Sequence, residues 1–190
     1  MRTLVFATSN GGKRKELEAL LGGGWQVKSA ADFPEIPEVD EDQPTFEGNA
    51  AKKARTFARA TGLLSLADDS GLCVDALGGR PGVLSARYGA SDAERIARLL
   101  GELAGVTDAQ RTARFECALC LVAPDGRETV TRGTCEGRII HAPRGAQGFG
   151  YDPIFELPGG KTMAELSRDE KSAVSHRGNA FRLLAETLRR

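Results

Sequence analysis

An α/β fold on a central mixed sheet is the expectation for this chain, and three observations carry it. Near the N-terminus a strand pattern, Thr3–Thr8, is followed by a helical pattern and then a second strand pattern, Trp25–Ser29. Further on, Arg111–Ala123 and Glu128–Ile140 flank Pro124-Asp125-Gly126 as a long antiparallel pair would. The 190 residues, 41% of them hydrophobic, can bury a substantial core. Strand–helix alternation interrupted by a hairpin predicts a twisted mixed sheet flanked by helices. Two lobes with a cleft between them are expected, in a single domain spanning residues 1–190.

Each element has its own signal. Thr3–Thr8 is β-branched and aromatic with no breaker. After the polar turn Ser9–Gly12, Leu17, Leu20 and Leu21 recur at helical spacing, and Gly22-Gly23-Gly24 ends that helix. Phe33–Pro44 is a loop with three prolines and five acidic residues: Glu35, Glu38, Asp40, Glu41 and Asp42. Ala50–Ala60 reads as a helix with Ala54, Phe57 and Ala58 facing inward. Leu63–Asp68 and Leu72–Leu77 read as strands on either side of an acidic turn, Asp68-Asp69-Ser70-Gly71. Gly78–Gly82 is a further turn. Ser91-Asp92-Ala93-Glu94 is a capping box ahead of Ile96, Leu99, Leu100 and Leu103, and Ser167–Glu170 is another. A final helix, Arg177–Leu188, has Ser175 as its N-cap and buries Phe181, Leu184 and Leu188.

Composition excludes some functions. Twenty-six basic residues balance twenty-six acidic ones, so nothing pulls the whole molecule toward nucleic acid or an anionic membrane. No apolar run approaches the ~20 residues that span a bilayer. Met1–Ala7 is too short for a signal peptide, so a cytoplasmic protein is expected. Cys117-Ala118-Leu119-Cys120 spells C-x-x-C, but inside a strand its thiols face opposite ways, which suits core packing over redox or zinc chemistry.

Four polar clusters are candidates for one site. Thr8-Ser9-Asn10-Gly11-Gly12-Lys13 joins a strand to a helix start, where backbone N–H groups, hydroxyls and a lysine can receive phosphate. It lacks the first glycine of a Walker A loop, and Arg14 stands where that motif needs Ser or Thr. The second cluster joins Glu41 to Asp68 and Asp69. Carboxylates at the end of a strand can grip Mg²⁺, act as a general base or cap the next element. Of the neighbouring lysines, Lys52 is expected to be solvated and Lys53 is left open between solvent and a polyphosphate. In the third cluster, Gln147-Gly148-Phe149-Gly150-Tyr151-Asp152-Pro153, an aromatic between glycines can stack on a nucleobase or mark a bulge in a strand. Asp152 can hold a base edge or sugar. The fourth, Lys171–Arg177, sets His176 beside Arg177 at a helix start, two donors suited to a purine 6-oxo group.

Taken together, ATSNGGKRKE, TFEGNAAKKA, ADDSGLCVDALGGRPGVLSARY, RTARFECAL, QGFGYDPIF, KTMAEL and EKSAVSHRGNA run in order along essentially the whole chain. In them the chain resembles the inosine/xanthosine triphosphate pyrophosphatases, which remove non-standard purine nucleoside triphosphates. ADDSGL, GFGYDP and SHR at these separations are the specific part. The resemblance implies an elongated α/β protomer, a substrate cleft between lobes and a homodimer. It implies Mg²⁺-dependent hydrolysis of ITP, dITP and XTP between the α and β phosphates, which keeps these bases out of DNA and RNA. Carried over by position, Thr8, Ser9, Asn10, Gly11, Gly12 and Lys13 hold the triphosphate and Lys53 is a phosphate-side lysine. Asp69 is metal ligand and proton acceptor with Asp68 beside it, and Ser70 touches substrate. Phe149, Gly150, Tyr151 and Asp152 bind the base, with Lys171, His176 and Arg177 also on substrate.

The chain departs from the family pattern in places. Ser9 stands where many members carry Gly, and Glu47-Gly48-Asn49-Ala50 replaces Glu-Asn-Ala. The acidic loop is also less regular than usual, which leaves Glu41 as metal ligand with Glu38 and Asp40 in competition. The rival readings are a Maf-type pyrophosphatase acting on modified pyrimidine triphosphates and a non-catalytic nucleotide-binding module. GFGYDP and SHR argue against the first, and the intact Asp68, Asp69, Lys13 and Lys53 against the second.

Overall fold

In the computed structural model, residues 2–188 are described, apart from the side chain of Glu16. The strands are β1 (Arg2–Phe6), β2 (Trp25–Ser29), β3 (Leu64–Val74), β4 (Thr112–Val122), β5 (Glu128–Ile139) and β6 (Phe155–Glu156). The α-helices are α1 (Gly11–Leu21), α2 (Phe46–Thr61), α3 (Asp92–Glu102), α4 (Arg168–Val174) and α5 (His176–Leu188). One six-stranded sheet has the order β2-β1-β3-β4-β5-β6. β1 pairs in parallel with β2 and β3, whereas β5 and β6 are antiparallel, so the sheet is mixed.

The acidic stretch is the main correction to the sequence reading. Asp68-Asp69-Ser70-Gly71 is not a turn: β3 runs unbroken from Leu64 to Val74, and the chain turns only at Asp75–Leu77. Gly71 adopts no left-handed backbone, and both carboxylates are answered by side chains of neighbouring helices, so nothing forces the strand to stop. The second helix also starts earlier than expected, at Phe46, because the Thr45 hydroxyl accepts the Gly48 N–H at 3.1 Å. A side chain at Gly48 would sit 2.8 Å from Gln43 Cβ, which accounts for the glycine in this chain's variant of the motif. The Ser91–Glu94 box is half made: Ser91 caps Glu94 N–H, but the Glu94 carboxylate takes Ala90 N–H instead. The box at Ser167 is complete.

The chain divides into two compact units, Met1–Asp69 with Cys117–Arg132 and Ala180–Arg190, and Ser70–Glu116 with Gly133–Asn179. In the first, alternate residues of one strand serve two cores. Leu4, Phe6 and Leu66 pack with Leu17 of α1 and Phe181 and Leu184 of α5. Val5, Ala7 and Ala67 pack with Ala50, Ala54 and Phe57 of α2. Strands covered on both faces read as continuous apolar runs, as Leu4–Ala7 does. Each fully buried Leu or Phe adds about 1.5–3 kcal/mol. Cys117 belongs to the first core and Cys120 to the second, as opposite-facing residues of β4 should, and the four cysteines are buried and in no disulfide.

The second unit closes on Leu72, Val74, Leu99, Leu103, Phe115, Ile139 and Phe155. Phe115 lies 4.5 Å from the Phe155 ring. Among the described residues no helix is long and apolar enough to cross a membrane.

Candidate active site

In the first unit, the parallel pairing of β1 with β3 ends at Phe6 opposite Leu66, where Ala7 N–H reaches Leu66 O at 2.7 Å. β1 then leaves the sheet for the Thr8–Asn10 turn, while β3 continues into Asp68 and Asp69. The carboxylates therefore lie beyond the C-terminal end of β1, the edge of a parallel sheet where ligands bind. Side chains alternate along a strand, so Asp68 shares a face with Leu66 and α1, and Asp69 shares a face with Ala67 and α2.

The two aspartates accordingly have different partners. Asp68 is 2% exposed and accepts from Lys13 Nζ at 2.6 Å. Asp69 is also buried and accepts from Asn49 Nδ2 at 2.8 Å. The Asn49 carbonyl oxygen in turn accepts Gln43 N–H at 2.9 Å, fastening the end of the acidic loop. One helical turn after Asn49, Lys53 pairs with Glu41. Asn49 and Lys53 thus present the Asp69 and Glu41 carboxylates to adjoining positions of one helix face. Lys52 is not simply solvated: it bonds Asp42 at 2.8 Å and the Asp40 carbonyl at 2.9 Å.

At the start of α1, Asn10 is the N-cap, and its side chain accepts Gly12 N–H at 2.9 Å and Lys13 N–H at 3.2 Å. Thr8 Oγ1 accepts Asn10 N–H at 3.2 Å. Two backbone donors expected to face a ligand are thus engaged by Asn10, leaving the Lys13 ammonium as the principal cation of this turn. Ser9, Gly11 and Gly12 are exposed.

In the second unit, Gln147–Tyr151 is a loop and not a bulged strand. Phe149 is 61% exposed, unusual for a large aromatic ring. Its N–H donates to Asp152 Oδ2 at 2.8 Å. Lys171 pairs with the same oxygen, and its ammonium lies 4.9 Å from the Phe149 ring centroid, a cation–π distance. Gly148 has φ +78°, and a Cβ there would fall 2.1 Å from Asp152 Oδ2. Only glycine fits that approach.

Tyr151 points into the core, donating to Ser85 O at 2.9 Å, and burial pushes its hydroxyl pKa well up. Within the stretch expected to bind the base, Tyr151 therefore offers backbone and not side chain. His176 is buried and stacks on Phe115 at 4.9 Å with 16° between planes, which fixes its ring. Ser175 caps α5 through Gly178 N–H at 3.1 Å, and Arg177 follows His176 in the first turn. Ser70 is half-buried and follows Asp69 directly.

Two residues escaped the sequence reading. Asn49, 1% exposed, carried a usable signal, because it sits one helical turn before the candidate Lys53 and so on the same helix face. Asp92, read only as part of a cap, bonds Gly150 N–H at 2.6 Å, and nothing local announces a partner 58 positions away. Among the described residues no three His, Cys, Asp or Glu side chains gather as a metal cluster.

Comparison with known proteins adds an independent line. The chain matches the Ham1 family over residues 4–187. It is 52% identical to the dITP/XTP pyrophosphatase of Geobacillus kaustophilus (strain HTA426), the alignment covering 98% of this chain and 94% of the relative. It is 51% identical to the dITP/XTP pyrophosphatase of Shouchella clausii (strain KSM-K16), over 99% and 97% of the two chains. Among solved structures, a HAM1 protein from Coxiella burnetii superposes with a TM-score of 0.94 at 42% identity, covering 99% of this chain and 98% of the other.

Proposed function

The chain belongs to the Ham1 family, and from that premise we propose that it hydrolyses the non-standard purine nucleoside triphosphates ITP, dITP and XTP to the monophosphate and pyrophosphate. The observation that carries the reading is the carboxylate pair of β3, buried yet met on one side by Lys13 and on the other by Asn49. A pair of charges is maintained there by dedicated partners, where a purely structural strand would use apolar residues.

Phosphoryl chemistry asks the protein for positioning and charge stabilisation. Asp69, on the α2 face with Glu41, orients and deprotonates the water that attacks the α phosphorus. Asp68 holds Lys13 through its ion pair, and Lys13 and Lys53 carry the charge of the departing pyrophosphate. The donor set fits Mg²⁺, which takes oxygen ligands and needs only one or two carboxylates beside phosphate oxygens. Glu41 and Asp69 are the residues to hold it, and when bound it offsets charge on the triphosphate and acidifies water.

On the base side, Phe149 offers an exposed face for stacking, and His176 and Arg177 offer donors to the 6-oxo group. Thr8, Ser9 and Ser70 complete the polar surface around the phosphates. A single pyrophosphatase domain over residues 1–190 and a homodimer are the proposed organisation, the latter checked by sedimentation equilibrium as a particle of two chains.

Product analysis with Mg²⁺ and ITP, XTP, GTP or ATP tests the reading. IMP and pyrophosphate from ITP, with GTP and ATP nearly untouched, is the expected result. Orthophosphate release, or equal use of all four nucleotides, overturns it.

A further inference from the structure

The loop that carries Phe149 is fastened at consecutive backbone positions by two carboxylates. Phe149 N–H donates to Asp152 at 2.8 Å, and Gly150 N–H donates to Asp92 Oδ2 at 2.6 Å. Asp152 lies in the same loop region, but Asp92 opens α3. Its second oxygen accepts Arg95 Nη1 at 2.6 Å, and Arg95 Nε is itself tied to Gly89 O at 3.1 Å. The carboxylate is therefore oriented by an arginine that is fixed in turn. Between the two gripped N–H groups stands a ring that gains little from burial. An exposed aromatic on a glycine-flanked loop samples many directions unless its backbone is pinned. Pinned, it offers a preorganised stacking face.

We infer that Asp92 is a positioning residue for base recognition: by holding Gly150 N–H it fixes the direction in which Phe149 presents its face to a purine. The inference rests on the base-binding reading of Phe149 proposed above, and it adds a residue that never touches substrate. A competing role is available, because a carboxylate in the first turn also favours the positive end of α3. That role needs the negative charge, whereas the loop clamp needs only an acceptor oxygen in place.

Asp92→Ala and Asp92→Asn separate the two roles. With Asp92→Ala, KM for ITP rises roughly tenfold, the loss expected for one hydrogen bond, while kcat stays within about twofold. Inhibition by pyrophosphate, which has no base, is unchanged. Asp92→Asn, with an acceptor but no charge, recovers most of the KM. Hydrogen exchange at the Gly150 amide, read without nucleotide, speeds up in Asp92→Ala.

A folded Asp92→Ala with wild-type KM, or variants that lower only Tm, overturns the inference. Asp92→Thr, which also starts helices well but does not reach Gly150, takes the place of the alanine variant should that not fold. Wild-type turnover distinguishes the two levels. Its absence removes the base-binding premise, and its presence with an unchanged KM in the variants removes Asp92 alone.

Discussion

Asp68 and Asp69 are chemically identical and one peptide apart, and they differ only in what they face. Asp69→Asn keeps the hydrogen-bonding shape but loses the charge. Pyrophosphate release from ITP is expected to drop ~10²–10³-fold, the range for loss of one electrostatic group, with circular dichroism and Tm near wild type. Lys13→Met acts on stability first, because it removes the ammonium that pairs with the buried Asp68 carboxylate. Breaking a buried pair costs about 3–5 kcal/mol, to be read by urea denaturation, and Asp68→Asn in the same chain should return much of it. Asn49→Ala removes a buried donor from Asp69 and an acceptor from Gln43, and should cost about 1–3 kcal/mol of stability as well as turnover.

At the scale of elements, the 147–151 loop depends on glycine as firmly as on its carboxylates. Gly148→Ala drives a Cβ to 2.1 Å from Asp152 Oδ2, at a backbone angle alanine resists. It should displace Asp152 and raise KM for ITP while inhibition by pyrophosphate stays constant. The elements themselves were largely legible. β2 falls on Trp25–Ser29, and Leu99 of α3 and Leu184 of α5 are buried as their spacing leads one to expect, with Leu100 and Leu188 packed half-buried against the same clusters. Helical and strand periods are local properties of the chain, so a local reading recovers them. What failed was local in appearance only. Two adjacent aspartates before Ser-Gly look like a turn until Lys13 and Asn49, 55 and 20 positions away, arrive to neutralise and bond them. The residue types of the candidate site could be named from the motifs, while their partnerships could not. The assignment of Asp68 to Lys13, the fastening of the acidic loop through Asn49 and the hold of Asp92 on Gly150 are all long-range.

Across the whole molecule, several carboxylates are held below their ordinary pKa by arginines. Glu156, bonded first by Arg138 and then by Arg144, is the most enclosed of them. A depressed folded value means stabilisation that is present above the ordinary glutamate value of 4.5 and is lost as pH falls through the folded value. Tm should therefore be level near neutrality and decline on acidification. Glu156→Gln should sit below wild type at pH 7 and converge with it in acid. The thiols behave oppositely. Burial pushes Cys73, Cys120 and Cys135 up to about 11, so native protein at neutral pH should resist alkylation, while denaturant should expose all four cysteines. The unbroken course of β3 also carries a consequence for how the gene can vary. Because the face a residue occupies is decided by odd or even count along a strand, deleting or inserting one codon between Leu64 and Asp68 would swap the two aspartates between α1 and α2. The same change in the loop before α2 preserves that parity. A scan of single-codon indels should thus be tolerated in residues 34–38 and lethal to activity in residues 64–68, marking the strand proposed to be catalytic by phase alone.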